Sequence, residues 1–254
     1  TFAALQWSVV VMEFRSCSGQ INHARRMYHM GETSDFDHLV NTLITKNPNI
    51  ELYAAGFSLG GNVLAKWLGE QGDAAPSHIK AAAVISAPYD CVVSGPFLDR
   101  PGARVYRRKF LRTLIPKAIE KERQFPGIIN VERVRNCTTF VEFDTHVTAA
   151  LHGFKNATDY WARTSCGQFL PRICRPTMLL SAVDDPFNPG ITLPRAHADK
   201  SPWLHPQFTN KGGHVGFIEG PNPWQARFWA EDQVVRFFQA YRAVYQSSSS
   251  GKPA

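Results

Sequence analysis

The sequence predicts an α/β fold, a mostly parallel sheet with helices on both faces and a helical insertion ahead of its last strands. Three observations predict it. Short apolar, β-branched runs alternate with amphipathic stretches along the chain, the pattern of parallel strands joined by helical crossovers. One strand-like run passes straight through Gly56-Phe57-Ser58-Leu59-Gly60 into a helical stretch, so a sharp strand-to-helix turn is built in. The 254 residues are 44% hydrophobic and 19% charged, the composition of a packed soluble protein and not of a disordered one.

Residues 8–14 are apolar and Val-rich and end in a turn-like stretch at 15–19, as a buried parallel strand should. Between 33 and 45, Phe36, Leu39, Val40, Leu43 and Ile44 recur at helical spacing behind Thr33 or Ser34 as cap, and Asn47-Pro48-Asn49 is the stop. Residues 50–55 read as a strand, 61–70 as a helix and 81–86 as another strand ahead of Pro88. From there to Arg175 the strand signal disappears, with helical stretches around 103–125 and 145–161. Residues 89–175 therefore read as a helical cap inserted into a core made of 1–88 and 176–246. The strand pattern resumes at 177–182, followed by an extended stretch at 207–209 and a long helix over about 224–245. The Ser-rich residues 247–254 are expected to form a flexible tail.

Composition excludes several function classes. No apolar run approaches the roughly 18 residues of a membrane span, and the first residues lack the basic-then-apolar pattern of a signal peptide. Five cysteines, scattered and never in a Cys-x-x-Cys pair, indicate neither a disulfide scaffold nor a zinc site, and fit a reducing, cytoplasmic setting. The net charge of +7 is mostly local: residues 104–123 hold eight basic side chains against Glu120 and Glu122. A protein-wide field for nucleic acid is thereby excluded. With Val105, Leu111, Leu114, Ala118 and Ile119 on one side, this segment reads as a cap helix over a crevice. Its charges either attract anionic lipid, giving peripheral membrane contact, or an acidic substrate, or are a solvated helix face.

A serine on a Gly-x-Ser-x-Gly turn is held out from strained backbone into a crevice, its glycines sparing the neighbouring strand and helix a collision. Its hydroxyl is a weak nucleophile and needs a base, which in turn needs a group that fixes its tautomer. Asp184 and Asp185 end the strand at 177–182, and His214 sits in the glycine-flanked stretch Gly212-Gly213-His214-Val215-Gly216. The order Ser58, Asp185, His214 leaves room for the insertion and then for one helix and one strand. The Asp-Pro-x-x-Pro register favours Asp185, with Asp184 the alternative. Cys17 reads as a packed structural thiol ahead of a reactive one. His29 and Glu32 suit either the floor of the site or a capping role.

Phe14-Arg15-Ser16-Cys17-Ser18-Gly19, Tyr28-His29-Met30-Gly31-Glu32-Thr33, Gly56 to Leu64, Asp184-Asp185-Pro186-Phe187 and Gly212 to Phe217 together resemble the YheT-like, ABHD-type esterase branch of the α/β-hydrolases. The resemblance runs from about Trp7 to Tyr245. It implies the α/β-hydrolase fold and carboxylic-ester hydrolysis, with Ser58 as nucleophile, Asp185 as acid, His214 as base and the Leu59 N–H in the oxyanion hole. No metal or organic cofactor is implied, and the substrate would be a small-molecule or lipid acyl ester. The same residues would support acyl transfer or thioester hydrolysis. Two departures stand out. Ser16 replaces the family's usual Gly, which strains any backbone there that needs positive φ. The family's leading strands and the His-Gly loop that gives a second oxyanion donor have no counterpart here, so the expectation is a chain lacking its N-terminal segment and N-terminal strands, with an inactive fragment as the rival reading.

Overall fold

The computed structural model describes residues 2–250. Four parallel strands form the main sheet in the order β1 (Leu52–Phe57), β2 (Ile79–Ile85), β3 (Thr177–Ala182) and β4 (Leu204–Thr209). Helix α1 (Ser34–Lys46) precedes β1, and α2 (Leu59–Gln71) crosses from β1 to β2. Between β2 and β3 lie α3 (Cys91–Leu98), α4 (Arg104–Gln124), α5 (Val131–Arg135), α6 (Phe140–Phe143), α7 (Ala149–His152) and α8 (Ala157–Thr164). After β3 come α9 (Arg195–Ala198), β4, a two-stranded hairpin of β5 (Ile218–Glu219) with β6 (Arg227–Phe228), and α10 (Trp229–Ser250).

The central strands are largely apolar because both faces are covered. All six residues of β3 are buried, and so is all of β2 but Lys80. Successive side chains point to opposite faces. Ala82, Val84 and Leu179 meet Val40 of α1 and Leu64, Trp67 and Leu68 of α2. Ala81, Ala83, Ile85, Met178 and Leu180 meet Val234 and Phe238 of α10 on the other side. The inserted helices have a core of their own, in which Leu111, Ala118, Val134, Phe143, Val147 and Leu151 pack together with Met27.

Several expectations need correction. Residues 8–14 form no strand: Val9, Val10 and Val11 are 58%, 58% and 78% exposed, and the segment lines a groove along β1 instead of bonding to its edge. Without a ladder partner an apolar run has nothing to hold it as a strand. The last helix starts at Trp229, not near Trp224, because Asn222 accepts from the Trp224 and Gln225 N–H groups in a tight turn and Arg227–Phe228 then pairs with Ile218–Glu219. At its far end α10 runs to Ser250, while the remaining residues of the expected tail, 251–254, lie outside the described residues. The helix expected over 145–161 is broken. A π-helical turn at Asp144–Thr148 leads into α7, Gly153 at φ 76° ends it, and the Asn156 side chain caps α8. Val105, expected on the packed side of α4, is 77% exposed.

The turn between β1 and α2 divides its glycines unequally. A Cβ on Gly56 would stand 2.4 Å from the Gly60 carbonyl oxygen, and one on Gly61 3.0 Å from the Gly56 oxygen, whereas one on Gly60 would meet open space. Gly56 and Gly61, not Gly60, thus allow helix and strand to meet. Gly56→Ala should cost about 1–3 kcal/mol or more through overpacking, while Gly60→Ala, inside a helix, should be neutral or stabilise by about 0.5–1 kcal/mol. Urea unfolding of the two variants checks this order; a Gly60→Ala loss equal to that of Gly56→Ala would refute it.

Candidate active site

Ser58 sits between β1 and α2 at φ 52° and ψ −119°, a conformation that costs a non-glycine residue roughly 1–3 kcal/mol. The surroundings impose it. The Ser58 N–H donates to the Ile85 carbonyl at 2.8 Å, and the Ser58 carbonyl accepts from Asn62 N–H at 3.1 Å, which ties the turn to β2 behind and to α2 ahead. The side chain of Asn62, wholly buried, holds the helix in place. Its amide donates to Met30 O at 2.7 Å and Thr164 O at 2.8 Å, and its oxygen accepts from Cys166 N–H at 2.9 Å. Every polar group of this buried amide is therefore engaged.

His214 Nε2 lies 2.8 Å from Ser58 Oγ, and its Nδ1 lies 2.8 Å from Asp185 Oδ2. With Nδ1–H donated to the carboxylate, Nε2 is left as acceptor for the serine hydroxyl. Asp185 is buried, and its Oδ1 accepts from Phe187 N–H at 2.7 Å and Asn188 N–H at 3.2 Å. The Asn188 amide donates to Asp185 Oδ2 at 3.3 Å and to Ser86 O at 3.1 Å. These bonds fix the carboxylate in one orientation. Asp184 turns the other way and accepts from Gly213 N–H at 2.9 Å, so it anchors the loop that carries the histidine. Gly213 has φ 64°, and a Cβ on Gly212 would stand 2.5 Å from the Phe217 ring. Both glycines are required by that loop. Leu59 opens α2, where the first N–H groups lack intrahelical acceptors.

A cavity of about 250 Å³ adjoins these side chains, lined by Ser58, Leu59 and His214 and walled largely by apolar groups such as Met30, Leu98, Phe110, Val147 and Trp161. The inserted helices supply most of that wall. His29, Asp144 and His152 also border it. Desolvation, aided by His152, pushes His29 down to about 4, which keeps it neutral. Desolvation also pushes the Asp144 carboxyl up to about 6, although Thr148 Oγ1 at 2.6 Å and Trp161 Nε1 at 2.8 Å donate to it. Asn188, Asn62, Asp144 and His152 were not singled out by motif reasoning. The signal for Asn188 is its place two residues after Pro186 and that for Asn62 its place one helical turn after Ser58, while Asp144 and His152 meet the site only through the packing of the inserted helices.

The remaining singled-out residues lie around this centre. Ser16 takes φ 65° and is buried, its Oγ donating to Asn22 Oδ1 at 2.7 Å, so the strained position is held by a bond that glycine could not make. Cys17, expected to be packed, is exposed because its loop passes outside the core, with Lys117 Nζ 3.9 Å from its sulfur. Glu32 accepts from Ser34 N–H at 3.0 Å at the start of α1, a capping contact. All five cysteines are free thiols. Among the described residues no group of three or more His, Cys, Asp or Glu side chains is placed to hold a metal ion, and no helix is long and apolar enough to cross a membrane.

A parallel sheet with a serine on its strand-to-helix turn, and with an acid and a histidine in the loops after two later strands, defines an α/β-hydrolase fold. No family model matches the chain. It is 35% identical over 237 residues to the protein named "Putative esterase YheT" of Escherichia coli, covering 92% of this chain and 68% of that one. The chain belongs to this YheT-like, ABHD-type family of α/β-hydrolases. It is also 29% identical over 235 residues to phospholipase ABHD3 of Bos taurus, covering 92% of this chain and 56% of that protein. With a monoacylglycerol lipase of Saccharomyces cerevisiae it shares 28% identity over 239 residues, 91% of this chain and 52% of that protein. The chain thus spans a little over half the length of the last two.

Proposed function

We propose that the chain is a serine hydrolase of carboxylic esters. The observation that carries this reading is the continuous relay Ser58 Oγ, His214, Asp185, with both links at 2.8 Å. His214 Nε2 takes the Ser58 proton as the oxygen attacks the acyl carbonyl, and Asp185 stabilises the imidazolium that results. The Leu59 N–H at the start of α2 donates to the oxyanion. His214 returns the proton to the leaving alcohol, leaving an acyl-enzyme, and then activates the water that hydrolyses it.

The apolar wall of the cavity favours an aliphatic acyl group over a charged one, since a charge there would be desolvated without a partner. That agrees with lipid acyl esters, the substrates named for the phospholipase and the monoacylglycerol lipase. Five unpaired thiols support a cytoplasmic setting. The test is hydrolysis of a p-nitrophenyl ester series with labelling by a fluorophosphonate. Turnover that rises from acetate to medium-length acyl chains, with covalent label on Ser58, is expected; absence of both turnover and label from folded protein would overturn the proposal.

A further inference from the structure

The first three turns of α4 present an exposed surface of mixed character that the ester-cleaving machinery does not use. Arg104, Arg108, Lys109 and Arg112 are exposed and, among the described residues, form no ion pair. Arg107, in contrast, is tied to the Asp99 carbonyl and lies 3.9 Å from that carboxylate. Interleaved with the four free cations are Val105, Tyr106 and Phe110, exposed to 77%, 45% and 41%. At 3.6 residues per turn the side chains follow one another round the helix as Phe110, Tyr106, Lys109, Val105, Arg112 and Arg108. The arc from Tyr106 to Arg108 covers about 160° of the helix, so apolar and basic groups share one side, with Phe110 and Arg104 at its two edges.

This face is continuous with the mouth of the Ser58 cavity. The Tyr106 ring packs edge-on to Phe187 at 4.9 Å, the Phe110 ring lies 5.9 Å from Phe187, and Phe187 lies 4.4 Å from the His214 ring. Phe110 and Phe187 both line the cavity. A water-facing helix whose only task is solubility has no reason to expose three large apolar side chains between its cations.

We infer that this face of α4 docks the protein on an anionic phospholipid surface, with the cavity mouth turned toward the lipid. Cations beside exposed aromatic and aliphatic groups suit an interface where headgroup charge meets acyl chains. A soluble polyanion would engage the cations but leave Val105, Tyr106 and Phe110 in water. The inference rests on the ester-hydrolase reading for its purpose, since a docked mouth would let a lipid ester pass from bilayer to cavity without crossing water, but the binding itself needs no turnover.

The test is flotation of the Ser58→Ala protein with vesicles of phosphatidylcholine alone and of phosphatidylcholine mixed with phosphatidylglycerol. Binding should be confined to the mixed vesicles and weaken with added salt. Reversing the four free cations (Arg104→Glu, Arg108→Glu, Lys109→Glu and Arg112→Glu) should cut it by about tenfold or more. Val105→Asp should weaken it as well. In the parent background, all these variants should hydrolyse a soluble short-chain ester at the parent rate. Equal binding to both vesicle types, or undiminished binding after charge reversal, would overturn the inference. So would heparin binding that is as tight as vesicle binding and indifferent to Val105→Asp, which would mark a polyanion patch. Vesicle binding by a parent protein that cleaves no ester would instead sink the hydrolase reading and leave the docking surface standing.

Discussion

Ser58→Ala is expected to remove essentially all ester hydrolysis, a fall in kcat of at least about 10⁴-fold, while the protein stays folded. The two halves of this expectation have separate causes. In the proposed mechanism activity depends on the oxygen 2.8 Å from His214 Nε2, and alanine offers none. Stability depends on the backbone of the turn, whose N–H bond to Ile85 and carbonyl bond from Asn62 do not involve the side chain. Alanine bears the same strain at φ 52° as serine, so the melting temperature should shift by no more than a few degrees, roughly what a difference of 0.5 kcal/mol produces. Fluorophosphonate labelling of parent and variant, matched by circular dichroism, separates the effects. Label persisting on a folded Ser58→Ala protein would place the nucleophile elsewhere, and loss of the folded spectrum would show that the hydroxyl is structural.

Much of this arrangement is legible in the chain because the strongest signals are local. The strands β2 and β3 are mainly apolar runs, as strands buried on both faces should be, and the Phe36 to Ile44 periodicity marks α1 directly. The serine turn is legible for the same reason: strand, glycine and helix are adjacent in sequence. What fails to show is what depends on a partner. Residues 8–14 carry the composition of a strand, yet a strand exists only where a neighbour completes its hydrogen bonds. Val105 is apolar, but at 3.6 residues per turn it stands about 120° from Leu111 and opposite Leu114, so its exposure follows from its angle on α4 and not from its composition. Asp144 and His152 border the cavity from one continuous helical run, eight residues apart, and only packing across the fold brings that run to the serine turn. Between Asp184 and Asp185, one residue apart, the choice is conformational: the loop aims one carboxylate at His214 and the other at the backbone of Gly213.

That division of labour sets the second large effect. Asp185→Asn should lower kcat by about 10⁴-fold with little change in KM. The amide is the same size and keeps the acceptors for Phe187 and Asn188 N–H when its oxygen takes the Oδ1 position. Its NH2 then faces His214 Nδ1 and cannot accept from it. The imidazole is driven to the tautomer with the proton on Nε2, where it can no longer take one from Ser58, and the imidazolium formed during attack loses its counter-charge. Asp184→Asn leaves a side-chain oxygen able to accept from Gly213 N–H, so the loop keeps its anchor and kcat should fall by less than about tenfold. Asp184→Ala removes the anchor and should cost more than Asp184→Asn, through misplacement of His214, though still far less than Asp185→Asn. Steady-state kinetics on one ester with all three variants gives the ranking. A loss in Asp184→Asn equal to or above that in Asp185→Asn would reverse the assignment, making Asp184 the partner of the histidine during turnover and Asp185 a support for its loop.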